Sequence, residues 1–214
     1  MAASHPSRLL LRAGRSSVKS CIESGEMGEA ELNADAQSTF DRLARDVEWP
    51  DRLANRVYLA VMVLPVTALY LTLRNRDRSE REAVDAVQAA FLASGESQRN
   101  FFKLILKSRV GRRLFLRSLR PNWLGLTPPP SNQWRLTERS KTRVTIEIAR
   151  CYRWDAFNLV GTPEVASVAC AFEEHMMSPS PYLRITGRSM ATGADRCRYC
   201  FELLDKPRRQ AVAG

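Results

Sequence analysis

The chain has 214 residues, of which 44% are hydrophobic, and a formal net charge of +10 at pH 7. This length and composition are enough to bury a core, which excludes global disorder and suits one medium-sized domain. The five cysteines are odd in number and irregularly spaced. That excludes a secreted disulfide framework and indicates reduced thiols in a cytoplasm.

The beginning of the chain is basic, contains several serines and has no acidic residue before Glu23. Its composition resembles that of an organellar transit peptide. We instead interpret residues 1–30 as a flexible leader, with Met27 as an alternative start. The remainder divides into a helical region (31–127), an α/β region that forms one compact unit with it (128–206), and a tail (207–214).

Residues 57–73, "VYLAVMVLPVTALYLTL", contain no charged side chain. This length is at the lower limit for a transmembrane helix. Because Pro65 lies in the middle and Thr67, Tyr70 and Thr72 add polar groups, we predict a buried helix that bends or restarts near Pro65, not a membrane span. An amphipathic helix capped by Ser79 is predicted to follow.

Residues 99–120 contain eight Lys or Arg residues and no acid, interleaved with apolar residues. This pattern predicts a basic amphipathic helix, broken near Gly111. Such a helix can track nucleic-acid phosphates or lie on an anionic membrane. The alternative that we favour is a helix with its apolar side on the core and its arginines in water, so no nucleic-acid partner is expected. A proline-rich linker follows, with Pro128 to Pro130 extended.

The C-terminal half is predicted to hold a strand within 141–154, a helix over 162–177, and a hairpin turning at Gly193. On the helix, Cys170 lies one turn before Glu173, so a thiol and a carboxylate share one side. Regular alternation on the last strand places Cys197 and Tyr199 on one face. It places Cys200 on the other.

The opposed thiols of "CRYC" argue against a zinc knuckle, which needs a tight turn between its cysteines. Zinc would require Cys151, Cys170, His175 and Cys197 to converge from separate elements. We therefore predict no metal and no cofactor, with zinc as the lesser alternative.

The motifs "TIEIARC", "GTPEVASVACAFE" and "RSMATGADRC", in this order, resemble the L-2-amino-thiazoline-4-carboxylic acid hydrolase family. The resemblance covers roughly residues 50–205. The chain departs from the family pattern at Glu173, where the family usually has Asp. It also departs at Arg198, where the family has an acid.

The resemblance implies an α+β fold, in which a helical N-terminal half packs on a small antiparallel sheet with one prominent C-terminal-half helix. It also implies hydrolytic opening of a small carboxylated heterocycle, a thiazoline or other cyclic amidine, with cleavage of its C–N or C–S bonds. The implied catalytic residues are Glu173 as base and the thiols Cys170, Cys151 and Cys197. Arg188 would clamp the substrate carboxylate and Tyr199 would contact the substrate.

Two alternatives belong to other functional classes. The chain could be a non-catalytic module of the same fold that binds or senses a small molecule, which the base at Arg198 favours. It could also associate with nucleic acid or an anionic membrane through residues 99–120. In all three interpretations the protein is expected in the cytoplasm.

Overall fold

The computed structural model describes residues 6–24, 30–118, 132–177, 180–204 and 206–207. These parts are α+β, with several helices and a four-stranded antiparallel sheet, so the predicted class is confirmed. In chain order the elements are α1 (Arg8–Ser24), α2 (Ala30–Asp46), α3 (Leu53–Tyr58), α4 (Leu64–Arg74), α5 (Glu80–Ser94), α6 (Glu96–Lys107), α7 (Arg109–Ser118), β1 (Gln133–Arg139), β2 (Arg143–Arg150), α8 (Tyr152–Leu159), α9 (Ala166–Met177), β3 (Leu183–Arg188) and β4 (Cys197–Leu203).

The chain divides into two units. The helical unit comprises Met1–Ser94 and Tyr152–Phe172, and the sheet unit comprises Gly95–Cys151 and Glu173–Gly214. The predicted boundary near residue 128 and the proline-rich linker fall in 119–131, outside the described residues.

Residues 8–24 fall within the predicted leader, yet they form α1 with Val18, Cys21 and Ile22 buried. Gly14 brings this helix close to its neighbours, because a Cβ there would overlap the Phe40 ring and lie 2.5 Å from the Ala60 carbonyl oxygen. From its sequence the segment is interpreted as a leader, because most of its residues are polar or basic. Its few apolar residues nevertheless lie on one side of the helix, and such a stripe is enough to pack a helix on a core.

The uncharged segment at 57–73 is helical, with a π-helical stretch over Leu59–Val63 that ends two residues before Pro65. Proline supplies no amide hydrogen and its ring clashes with the preceding turn, so a local change in helix type is expected there. Leu53–Arg74 is long and apolar enough to cross a membrane, but 78% of its most apolar window is buried inside the protein. The segment is therefore apolar because it is a buried core helix, as the sequence analysis predicts.

The predicted cap of α5 is confirmed. The Ser79 hydroxyl accepts the Glu82 amide at 3.3 Å, and the Ser79 amide donates to the Glu82 carboxylate at 2.9 Å. This reciprocal arrangement satisfies two amides at the start of the helix.

The sheet has the strand order β1-β2-β4-β3, and every neighbouring pair is antiparallel. Its inner face is apolar and packs against α6 and α7. The members of this cluster are Leu106, Phe115, Leu116, Val144, Ile146, Leu183 and Phe201, with Phe102, Trp134, Leu136, Ile148, Ile185, Tyr199 and Leu203 beside them.

The basic segment is broken at Ser108, three residues before the predicted Gly111, and forms α6 and α7. The Ser108 hydroxyl accepts the Gly111 amide at 2.8 Å. Arg112 donates to the last carbonyls of α6, those of Leu106 and Lys107, and its guanidinium lies 4.2 Å from the Tyr182 ring centroid. Leu119 and Arg120, the end of the predicted segment, lie outside the described residues.

We predict that Phe201→Ala destabilises the protein by about 3–5 kcal/mol, because it removes a buried ring from the apolar cluster. Thr186→Ala, which changes an exposed side chain on the adjacent strand, should stay within about 0.5 kcal/mol of wild type. Urea unfolding followed by circular dichroism measures both. Equal midpoints for the two variants would contradict the assigned faces of the sheet.

Candidate functional site

Cys197 and Tyr199 lie on the inner face of the sheet, as strand alternation predicts. Cys197 is 4% exposed, and its sulfur accepts the Met190 amide at 3.2 Å. Tyr199 packs on the apolar cluster and pairs with Gly187, where a Cβ would lie 2.7 Å from the Tyr199 ring. Glycine is therefore needed opposite this ring.

Arg188 lies on the opposite, outer face, where it pairs in register with Arg198. Both side chains are exposed. The sheet therefore separates Arg188 from Cys197 and Tyr199, and the predicted clamp does not face the predicted pocket side chains. Cys200 shares the outer face, and its sulfur accepts the Arg143 Nε–H at 3.1 Å.

The other predicted catalytic residues are distributed over both units. Cys170 is half-buried on α9 in the helical unit, whereas Glu173, one turn later, belongs to the sheet unit. Cys151 is half-buried and directly follows β2. The catalytic roles of these residues and of Cys197 stay predictions.

Glu147 is the most heavily paired carboxylate on the outer face, and sequence reasoning missed it. Arg135 contacts one of its oxygens, with Nε at 2.7 Å, and Arg196 contacts the other at 3.1 Å. The Arg135 hydrogen bond, with smaller contributions from Arg196, lowers the pKa of Glu147 from its ordinary value. The alternation of charged and apolar residues in β2 was the signal that could have identified it.

The remaining glutamates of this face are also in ion pairs. Glu138 pairs with Arg143 at 3.2 Å, and Glu202 pairs with Arg184 at 3.4 Å. Arg188 and Arg198 differ from the paired arginines of this face, because among the described residues neither is in an ion pair. Like charges directly opposite each other on neighbouring strands destabilise a sheet. An anion bound between the two guanidinium groups would remove that repulsion.

His175 does not join a metal site. Its Nε2 lies 2.7 Å from Glu96 Oε1, and this contact, followed by a smaller effect of Arg99, lowers the pKa of Glu96. In the part of the chain that the structure describes, no three His, Cys, Asp or Glu side chains are grouped to hold a metal ion. The zinc alternative through Cys151, Cys170, His175 and Cys197 is therefore wrong.

No family model matches the chain, and no curated protein matches it. Two of the similar solved structures are H-NOX proteins. The Fe(II) unliganded H-NOX protein from K. algicida is 12% identical, with 94% of this chain and 98% of that chain covered and a TM-score of 0.39. The H-NOX domain from Shewanella oneidensis, in the Fe(II)CO ligation state, is 11% identical, with 89% and 98% covered and a TM-score of 0.38.

These findings correct three expectations. The resemblance to the thiazoline hydrolase family is wrong, because no family model matches the chain. The expected reaction, hydrolytic opening of a heterocycle, was implied only by that resemblance and is therefore no longer supported. The expectation of no cofactor also differs from the similar proteins, which are described in Fe(II) states.

The described residues nevertheless do not fit iron held by side chains alone. A non-haem iron site needs several ligands, commonly two histidines and a carboxylate. Among the described residues no such group of three is present. Iron therefore remains a property of the similar proteins.

We predict that Glu147→Gln reduces the acid sensitivity of the fold. The pKa of Glu147 is lowered in the folded state, so its stabilising effect is complete above the ordinary value of 4.5 and is lost as the pH falls through the lowered value. The variant should show a smaller drop in the free energy of unfolding between neutral and acidic pH. Chemical denaturation over that pH range measures it.

Glu174→Gln, an exposed change on α9, is the control and should keep the wild-type pH dependence. If Glu147→Gln were as acid-sensitive as wild type, the paired carboxylate would not contribute to stability.

Proposed function

We propose that this protein is a cytoplasmic, non-catalytic module that binds a small molecule bearing a carboxylate. The ligand's anionic group sits on the outer face of the sheet between Arg188 and Arg198. In this proposal Arg188 still binds the ligand's carboxylate, as the sequence analysis expects. Its partner in binding is Arg198, and not Tyr199 or Cys197, which lie on the inner face.

The single observation that carries this proposal is the pair of adjacent arginines without carboxylate partners. All three glutamates on the face, Glu138, Glu147 and Glu202, are already in ion pairs with other arginines. The planar guanidinium group presents donors in a fixed fork that matches a carboxylate. Two such groups on neighbouring strands can bind one anion between them.

The limited extent of this unneutralised charge favours a small ligand. Arg135 and Arg196 share the carboxylate of Glu147 on one side of the pair. Arg184 is neutralised by Glu202 on the other. A nucleic acid would need a longer run of free cations to follow its phosphates.

Among the described residues of this face, no glutamate is left as a free base, which favours binding over catalysis. A general base must be able to accept a proton near the ligand. Each glutamate of the outer face is instead held by at least one arginine. The hydroxyl of Thr186 and the thiol of Cys200 lie in the neighbouring row, where they can donate hydrogen bonds without taking part in a reaction.

We predict that Arg188→Gln and Arg198→Gln each weaken the binding of citrate by roughly 10-fold to 100-fold, because each removes charge-assisted hydrogen bonds to the anion. Isothermal titration calorimetry at low salt with citrate, succinate and inorganic phosphate measures the dissociation constants. Arg188→Lys should recover only part of the loss, since lysine cannot bind a carboxylate through two parallel donors.

Arg184→Gln is the matched control, because Arg184 is an exposed arginine on the same strand whose charge is already paired with Glu202. It should bind citrate like wild type. An absence of binding by the wild-type protein to all three anions would overturn the proposal. So would an equal loss of affinity in the Arg184→Gln variant.

A further inference from the structure

The α6–α7 hairpin of the sheet unit exposes large apolar side chains that the apolar cluster does not use. Phe101 is 60% exposed, Leu104 70%, Val110 67% and Leu114 56%. Isolated exposed apolar residues are ordinary on protein surfaces, but four on two consecutive helices need an explanation.

Helix geometry explains why these side chains stay outside the core. In α6, Phe102 and Leu106 face the sheet, and Phe101 and Leu104 lie on another side of the same helix. In α7, Phe115 and Leu116 face the sheet, while Val110 and Leu114, four residues apart, share an outward side. The inner face of the sheet is therefore already covered without the exposed four.

The same hairpin carries a uniform positive charge. No acidic residue occurs between Ser97 and Ser118. Five basic side chains in this stretch are exposed: Lys103, Lys107, Arg109, Arg113 and Arg117. Glu96, at the start of α6, is held by His175 and Arg99 and so does not neutralise them.

We propose that the α6–α7 hairpin is a docking surface for an anionic lipid bilayer. Helices that lie in the membrane interface combine lysine and arginine with exposed leucine and phenylalanine. The cations would contact lipid phosphates and carboxylates while Phe101, Leu104, Val110 and Leu114 enter the boundary of the acyl chains. This proposal is independent of the anion site on the outer face.

The four apolar side chains favour a bilayer over a nucleic acid. Binding to a phosphate backbone is electrostatic and gains nothing from exposed leucine or valine. An anionic bilayer interacts favourably with both the apolar and the basic side chains of the hairpin. Each apolar side chain that leaves water stabilises the bound state, and each cation is attracted to the negative lipid surface.

Vesicle co-sedimentation with the full chain tests the proposal. Vesicles of phosphatidylcholine containing phosphatidylserine should bind the protein, and vesicles of phosphatidylcholine alone should bind it much more weakly. The double variant Leu104→Gln/Leu114→Gln should lower the partition coefficient by more than about tenfold. The double variant Lys103→Gln/Lys107→Gln should lower it by about fivefold for each charge removed.

Leu159→Gln is the control, because Leu159 is 58% exposed on α8 of the helical unit, outside the α6–α7 hairpin. It should bind vesicles like wild type, and circular dichroism should show that every variant is folded. Equal binding to both kinds of vesicle, or binding that survives the paired leucine changes, would overturn the proposal. An oligonucleotide bound more tightly than the vesicles, through the cations alone, would also overturn it and assign the surface to nucleic acid.

Discussion

The two-residue side-chain period of β4 is the constraint on which the sheet unit depends. The strand has neighbours on both sides, so each of its residues is committed to one face. Cys197, Tyr199 and Phe201 enter the apolar side, and Arg198 and Cys200 enter the polar side. A shift of one residue would bury arginine and expose phenylalanine, at a cost that a marginally stable protein cannot absorb.

The two faces are stabilised by different interactions, and this difference directs the proposed functions. The inner face is covered by aromatic and aliphatic side chains of α6 and α7. The outer face relies on ion pairs around Glu147, whose exposed partners contribute modestly to stability. The inner face of the sheet is therefore covered by α6 and α7. Arg188 and Arg198, which have no carboxylate partner among the described residues, lie on the outer face, where solvent and ligands can reach them.

Local patterns identified β2, the hairpin at Gly193 and the Ser79 cap, because each depends on residues close in the sequence. The same reasoning missed α1, whose polar composition outweighed its narrow apolar stripe, and β1, which follows a proline-rich stretch. The family resemblance rested on three short motifs. Such motifs report local geometry, which unrelated folds share, and they led to a reaction that the comparisons do not support.

The sequence by itself determined the α+β class, the buried nature of the segment at 57–73 and the opposite orientation of Cys197 and Cys200. These features follow from periodicity and composition, which act over a few residues. Only the tertiary structure decided which charged side chains are paired. Arg198 lies opposite Glu147, yet Arg135 and Arg196 hold that carboxylate. These two arginines are 12 and 49 residues away from Glu147 in the sequence, so no local pattern encodes the pairing.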